Sequence, residues 1–381
     1  MNKVYFPNLN GLRFIAAFLV LVHHNERIRL RFAWTNHWDN PFIIIIGKLG
    51  VILFFVLSGF LITYILLREE KESGTISVKD FYLRRILRIW PLYYLVVLAG
   101  LFVLPYLSPL SYGNDFSMLF ANYGSNITLF IFFLPNLAYV LNSSIPFISQ
   151  AWSVGVEEQF YLQWPLLMKS VKRKLPLLLG IIFSYNILRF ALFAFSKNRP
   201  EATGLKALWH FIELFNIDCM AIGGLAALFY YRNTTAILNL VYHRATQIIT
   251  VLLLFLLIGF GIRIPYFHYQ FYSILFAILI LNLATNKKSV FSLENPALNY
   301  LGKISYGIYM YHPLTLYVVC RFLFERNLSN PFIELFAGTV FTVLISAISY
   351  EFFEKFFLKK KLRFSKFISG DNAVEATEEK S

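Results

Sequence analysis

The sequence predicts an all-α polytopic membrane protein of about ten transmembrane helices, with both termini cytoplasmic. Three observations carry the prediction. Of 381 residues, 57% are hydrophobic and only 15% charged, where soluble domains carry roughly a quarter charged residues. Apolar runs long enough to cross a bilayer recur along the whole chain. The cations are also sorted: with the N-terminus inside, 23 Lys and Arg fall on inner segments against 10 on outer ones, the bias expected of cytoplasmic loops.

In order, the spans are expected at 8–24, 48–67, 89–106, 151–168, 175–195, 207–230, 246–262, 268–284, 301–322 and 333–357. The first holds Arg13 and shows no small-residue cleavage site, so it reads as a retained anchor. Residues 125–141, SNITLFIFFLPNLAYVL, are apolar enough to cross, but an eleventh crossing would put KSVKRK outside. A re-entrant or outward-lying segment lodged against the protein is expected there. Residues 1–370 read as one transmembrane domain, and the polar tail 371–381, DNAVEATEEKS, as disordered.

The net charge of +14 does not point to nucleic acid, because no soluble basic domain exists and the cations flank apolar runs. The partner it implies is the lipid bilayer. Cys219 and Cys320 sit in apolar segments without a disulfide framework or zinc spacing, so they read as packing residues and no metal site is expected. No internal repeat is visible, which counts against an inverted-repeat transporter.

Polar groups inside spans need a reason, since they mark interior cavities, pathways or sites. In NGLRFIAAFLVLVHH (10–24), Arg13 and His24 are eleven residues apart, about three turns, on one stripe roughly 16 Å apart in depth. His23 points away. Snorkelling of Arg13 is the plainer alternative. In FYLRRILRIWPLYY (81–94), Arg85 and Arg88 lie i,i+3 and Arg84 and Arg88 lie i,i+4; such guanidinium forks suit phosphate oxygens, and equally suit a positive-inside anchor. SQAWSVGVEEQFYLQWP (149–165) has Trp152 as an interfacial residue, Ser153 one turn from Glu157, and Glu158 beside it. An ion pair with Arg189 is the structural alternative for these glutamates. In LGKISYGIYMYHPL (301–314), Ser305, Tyr309 and His312 share a face, and Pro313 is expected to free a carbonyl. Ser58–Gly59 in GVILFFVLSGFLIT (50–63) suggests close helix packing.

Together these five ordered stretches resemble the acyltransferase-3 family of bacterial membrane acyltransferases, which includes O-antigen and other surface-glycan O-acetylases. The resemblance covers roughly residues 5–360. It implies a ten-span protein of the bacterial inner membrane that moves an acyl group, usually acetyl from cytosolic acetyl-CoA, to a hydroxyl of an extracytoplasmic or lipid-linked glycan. The implied partners are an acyl-CoA donor and a glycan acceptor; no tightly bound cofactor is expected. By motif matching, Arg13 and His24 are the essential first-span pair, Arg85 and Arg88 the cytoplasmic arginine pair, and Trp152, Ser153, Glu157 and Glu158 the central motif. Two positions depart: Asn10 stands where an acidic residue is common, and Gly155 where a serine often sits. Any soluble esterase-like partner is expected to be a separate chain.

A thioester has a good leaving group, so the chemistry chiefly needs a base for the attacking hydroxyl, a task suited to an imidazole. The expected roles follow. His24 is the general base, and Glu157 or Glu158 orients it or grips the acceptor. Arg85 and Arg88 hold the phosphates of CoA, with Arg13 along the donor channel; Ser58, Trp152, Ser153, Tyr309 and His312 shape the site. A transporter of an acyl donor or glycan intermediate is the alternative, and a membrane scaffold a second.

Overall fold

The structure is a computed structural model that describes residues 2–107, 110, 116–198, 203–364 and 367–369. The expected disordered tail at 371–381 lies outside the described residues. Helix starts are written locally. Asn40, Asn295 and Asn330 each precede a proline, and in each the side chain accepts a backbone N–H of the first turn. An asparagine cap followed by proline at the first helical position satisfies or removes donors that have no intrahelical partner.

Helix α1 spans Leu9–Arg31, α2 Pro41–Ser73 and α3 Val78–Phe102. Three short helices follow, α4 (Ser117–Ala121), α5 (Tyr123–Ile131) and α6 (Pro135–Asn142). Next come α7 (Ala151–Ser170), α8 (Lys174–Asn198), α9 (Thr203–Phe215) and α10 (Ile217–Tyr231). The chain continues through α11 (Thr235–Tyr242), α12 (Arg244–Gly259), α13 (His268–Thr285) and α14 (Pro296–Lys303). It ends with α15 (Ser305–Glu325), α16 (Pro331–Ser349), a π-helical turn at Tyr350–Glu354 and α17 (Lys355–Lys361).

Six of these units are long and apolar enough to cross a membrane: α2, α3 with the turn after it, α8, α9–α10, α13 and α16–α17. The pair α11–α12, bent by 62°, makes up to seven. The sequence predicts ten. The three predicted spans outside that set are α1, α7 and α15, which are long enough but interrupted by polar and ionisable side chains. These three carry most of the candidate site residues. The segment 125–141 forms α5 and α6, neither long enough to cross a bilayer.

The all-helical class holds, with one short addition beside the helices. Asn2–Val4 (β1) pairs in parallel with Phe367–Ser369 (β2). Backbone pairing between the two ends of the described chain requires both to lie on one face of the bundle.

The core is built around α2, which is apolar all round and therefore buried all round. It packs against α1, α7, α10 and α13. Its approach to α10 depends on two glycines, since a Cβ at Gly59 would stand 1.9 Å from the Met220 carbonyl oxygen and one at Gly223 2.1 Å from that of Val56. The close packing expected at Ser58–Gly59 is thus present. The cysteines are free and buried.

Candidate active site

Two histidines from different helices meet ring to ring. His24 of α1 and His312 of α15 have centroids 4.7 Å apart in a T-shaped arrangement. Each is oriented by its own helix. His24 Nδ1 lies 2.9 Å from the Val20 carbonyl oxygen, one turn back. A carbonyl can only accept, so Nδ1 carries the proton of that bond and the neutral ring keeps its lone pair on Nε2.

His312 owes its orientation to Pro313, which lies inside α15. Proline has no N–H, so the Tyr309 carbonyl loses its helical donor. His312 Nδ1 takes its place at 2.7 Å. Its Nε2 is buried without a hydrogen-bond partner. The carbonyl expected to be freed is therefore spent on fixing this ring. His23 points elsewhere, as the helical arithmetic predicts, with Nδ1 2.8 Å from the Ile43 carbonyl and its ring against Trp38.

Tyr309 links this pair to α7. Its hydroxyl is 2.6 Å from Ser153 Oγ and donates to the Gln150 carbonyl at 3.1 Å. Gln150 Nε2 in turn donates to the Met310 carbonyl at 2.8 Å. Ser153 and Tyr309 both line a cavity of about 150 Å³. The same cavity is lined by Arg13, Ser58, Arg85, Arg88 and Glu157, and also by Tyr161, Ser305, Tyr306 and Lys361. Glu157 accepts from the Tyr161 hydroxyl, which comes close, and from Ser58 Oγ at 3.3 Å. Arg85 has a buried Nε without a partner and its guanidinium lies 5.6 Å from the Phe81 and Tyr161 rings. Arg13 donates to Asn10 Oδ1 at 2.9 Å.

A second cavity, of about 350 Å³, lies beyond the histidines. His24 lines it with Arg27, Arg31, Ser144, Ser149, Pro313 and Tyr317. The series His24, His312, Tyr309 therefore runs from one cavity to the other, the last two rings being 5.7 Å apart.

Seven of the eleven residues singled out in the sequence thus share one cavity: Arg13, Ser58, Arg85, Arg88, Ser153, Glu157 and Tyr309. His24 lines the second cavity, and His312 lies between it and Tyr309. Glu158 and Trp152 lie elsewhere. Glu158 accepts from Trp90 Nε1 at 2.9 Å, and Trp152 lies under the Lys48 ammonium at 4.0 Å.

The expected pairing of a glutamate with His24 is not what the structure has, since the Val20 carbonyl orients that ring. Glu157 sits six residues into α7, about 9 Å along its axis, and shares its cavity with the arginines instead. Among the described residues no ion pair joins Arg189 to either glutamate; Arg189 donates to Asn186 Oδ1 and to the Tyr266 carbonyl. Arg84 is withdrawn from the arginine cluster by a buried pair with Glu69 at 3.2 Å and a bond to the Phe364 carbonyl.

The two departures have local reasons. Asn10 supplies Arg13 with a neutral acceptor. A Cβ substituent at Gly155 would crowd Pro135, whose Cδ stands 2.6 Å from the ideal Cβ position, so glycine lets α6 pack on α7. Tyr161, Tyr306, Lys361 and Lys48 were not singled out from the sequence. Tyr161 was legible as the residue one turn beyond Glu157; Lys361 reaches the cavity only through the tertiary fold.

Comparison with known proteins places the chain in a family. The sequence model of a family described as "Acyltransferase domain", the acyltransferase-3 family, matches residues 6–351. The peptidoglycan O-acetyltransferase OatA of Listeria monocytogenes is 28% identical, over 93% of this chain and 56% of its own length. A Staphylococcus aureus protein provisionally named an O-acetyltransferase is 26% identical, over 94% of this chain and 58% of its own. A Bacillus subtilis protein, YrhL, provisionally named a peptidoglycan O-acetyltransferase, is 28% identical over 92% and 54%. The chain spans a little over half the length of these relatives. No solved structure matches it. The chain belongs to the acyltransferase-3 family.

Proposed function

From that membership we propose that the chain is a membrane-embedded O-acyltransferase. It moves an acyl group, acetyl by preference, from acyl-CoA on the cytoplasmic side to a hydroxyl of an extracytoplasmic or lipid-linked glycan, for which the relatives' names make peptidoglycan the first candidate. In this reading the protein resides in the bacterial inner membrane. Helices α1, α7 and α15 add to the apolar spans to make ten, with both ends cytoplasmic. The observation that carries the reading is the ring series His24, His312, Tyr309, which leads from the cavity lined by His24 to the one lined by the arginines. A transfer between a donor on one side and an acceptor on the other needs two approaches and one base between them.

The chemistry follows from the residues. The acceptor hydroxyl enters from the cavity lined by His24. Nε2 takes its proton as the oxygen forms a bond to the acyl carbon; the carbon–sulfur bond then breaks, and the CoA thiolate leaves and takes up a proton. His24 is set for the first step because its Nδ1–H is already committed to Val20. A correctly placed general base supplies about 10²–10⁴ in rate. Arg85, Arg88 and Arg13 hold donor phosphates by charge-assisted bonds. Glu157, held by Tyr161 and Ser58, sits on the donor side, where it positions the arginines; Glu158 braces α7 against α3. The family favours this reading over a transporter or a scaffold.

The test supplies inside-out membrane vesicles of a producing strain with acetyl-labelled acetyl-CoA, measuring thiol release and alkali-labile label in the glycan fraction. Label that depends on the chain supports glycan O-acetylation. Thiol release without glycan label overturns the acceptor, and neither signal overturns the acyl-CoA donor.

A further inference from the structure

The cations of the donor-side cavity come from three separate helices. Lys361, the last residue of α17, lines it together with Arg13 of α1 and with Arg85 and Arg88 of α3. Lysines at the end of a span ordinarily extend their ammonium to water, and Lys359 and Lys360 are exposed in that way. Lys361 is turned inward and only 5% exposed. It lies outside the family match, which ends at residue 351.

The chain holds it there from both sides. On its near side, the buried stripe of α16 and α17 advances four residues at a time, through Thr342, Ser346, Tyr350, Glu354 and Leu358. At 3.6 residues per turn an ordinary helix would carry that stripe off its face. The π turn at Tyr350–Glu354 winds more slowly and offsets the drift; such turns are frequent at functional sites. It sets Glu354 within electrostatic reach of Arg88, and Ser349 Oγ donates to Glu354 at 3.2 Å. On its far side, Arg84 donates to the Phe364 carbonyl at 2.8 Å. Beyond that, Phe367–Ser369 pairs with Asn2–Val4, just ahead of Tyr5 and Phe6, which line the same cavity.

Charge indicates what Lys361 is placed to meet. Four cations line this cavity against one carboxylate, Glu157, which accepts from Tyr161 and Ser58. With Glu354 counted beside Arg88, four positive charges still meet only two negative ones. That surplus suits a ligand carrying several negative charges. Arg85 and Arg88 share one flank of α3 and present guanidinium forks from there. Lys361 enters on a different element as a compact point charge, and so approaches such a ligand separately from the arginines.

We propose that Lys361 binds a phosphate of the acyl-CoA donor and is held in place for it by the anchors at Glu354 and Phe364. The inference rests on the acyl-CoA reading and adds to it a residue, outside the family match, that selects the phosphorylated donor over its bare pantetheine arm.

The experiment is calorimetric titration of the purified full chain in lipid nanodiscs with CoA, 3′-dephospho-CoA and pantetheine. The parent should bind CoA more tightly than pantetheine. Lys361→Met and Lys361→Gln should each lower the ratio of the two affinities about tenfold or more, the value of one bond to a charged group. Lys361→Arg, which keeps the charge, should hold the ratio close to the parent's. A loss confined to CoA places the ammonium on the 3′-phosphate, and one shared with 3′-dephospho-CoA places it on the diphosphate; both support the inference. A ratio unchanged in Lys361→Met and Lys361→Gln overturns it. So does an equal loss for CoA and pantetheine, which a merely structural lysine would give, and so does a ratio lost as fully in Lys361→Arg. Because binding is read without turnover, the two readings fail separately. A parent preference that survives the substitutions sinks this site alone, and a parent that binds CoA no better than pantetheine sinks the acyl-CoA donor with it.

Discussion

His24→Asn separates the two jobs of this imidazole. The asparagine amide nitrogen lies near the place of Nδ1 and can still donate to the Val20 carbonyl, which His24 reaches at 2.9 Å. Nothing in asparagine occupies the place of Nε2. The variant therefore keeps a bond worth about 1 kcal/mol and loses the lone pair that accepts the proton. Stability should change by less than that bond, a shift of at most a few degrees in melting temperature. Transfer should fall by about 10²–10⁴, which is roughly 3–5.5 kcal/mol of barrier. The assay is acyl transfer in vesicles at matched expression, with melting of the purified variant alongside. His312→Asn is the companion, because its Nδ1 makes the same kind of bond to Tyr309. Transfer by His24→Asn within threefold of the parent would refute the assignment. Loss in His312→Asn without loss in His24→Asn would move the base to His312.

Three further predictions come from the packing around this centre. Arg85→Gln and Arg88→Gln should each raise KM for acyl-CoA about 10–100-fold, the value of one hydrogen bond to a charged group, with kcat little changed; a fall in kcat at constant KM would refute a binding role. Arg29 and Glu334 form a buried ion pair between α1 and α16, so Arg29→Met should cost about 3–5 kcal/mol, and adding Glu334→Leu should restore most of it; thermal melting of single and double variants decides, and additive losses refute the pairing. Glu294, in the turn before α14, has its carboxyl held below the usual range: partial burial pushes it up, but bonds from Tyr5, the Asn8 backbone N–H and Asn299 outweigh burial. A depressed folded value means stability present above the unfolded value of about 4.3 and lost as pH falls through the folded one. Glu294→Gln should flatten the acid limb of stability below about pH 4.5, and an unchanged limb would count against the contact.

Much of this was legible from one sequence because the signals are local. Helical spacing alone put Arg13 and His24 on one stripe and turned His23 away. The Asn–Pro starts of α2, α14 and α16 are two-residue statements of where helices begin. What failed was anything that depends on which helix faces which. The glutamates were expected near His24 because both were placed by depth from the outer surface. Depth says nothing of azimuth, and α7 turns Glu157 toward Ser58 and the arginines and Glu158 toward Trp90. Lys48 read as one more flanking cation, since the Trp152 and Tyr269 rings that cover its ammonium come from other helices. The pairing of β1 with β2 joins segments more than 360 residues apart and has no local signal at all.

The span count and the site have one explanation. A helix crossing lipid with ionisable side chains pays several kcal/mol unless they face protein or water, so on the proposed ten-span reading α1, α7 and α15 are tolerable only if their polar stripes meet each other. They do: His24 meets His312, Ser153 meets Tyr309, and Gln150 reaches the Met310 backbone. All three contacts end on one stretch of α15, residues 309–312, just ahead of Pro313. The proline makes that stretch a joint, because its missing N–H frees the carbonyl that fixes His312 against His24. Apolar α2 packs against α1 and α7 beside these contacts. On the proposed function, the helices too polar to be recognised as spans are the ones that carry its histidines.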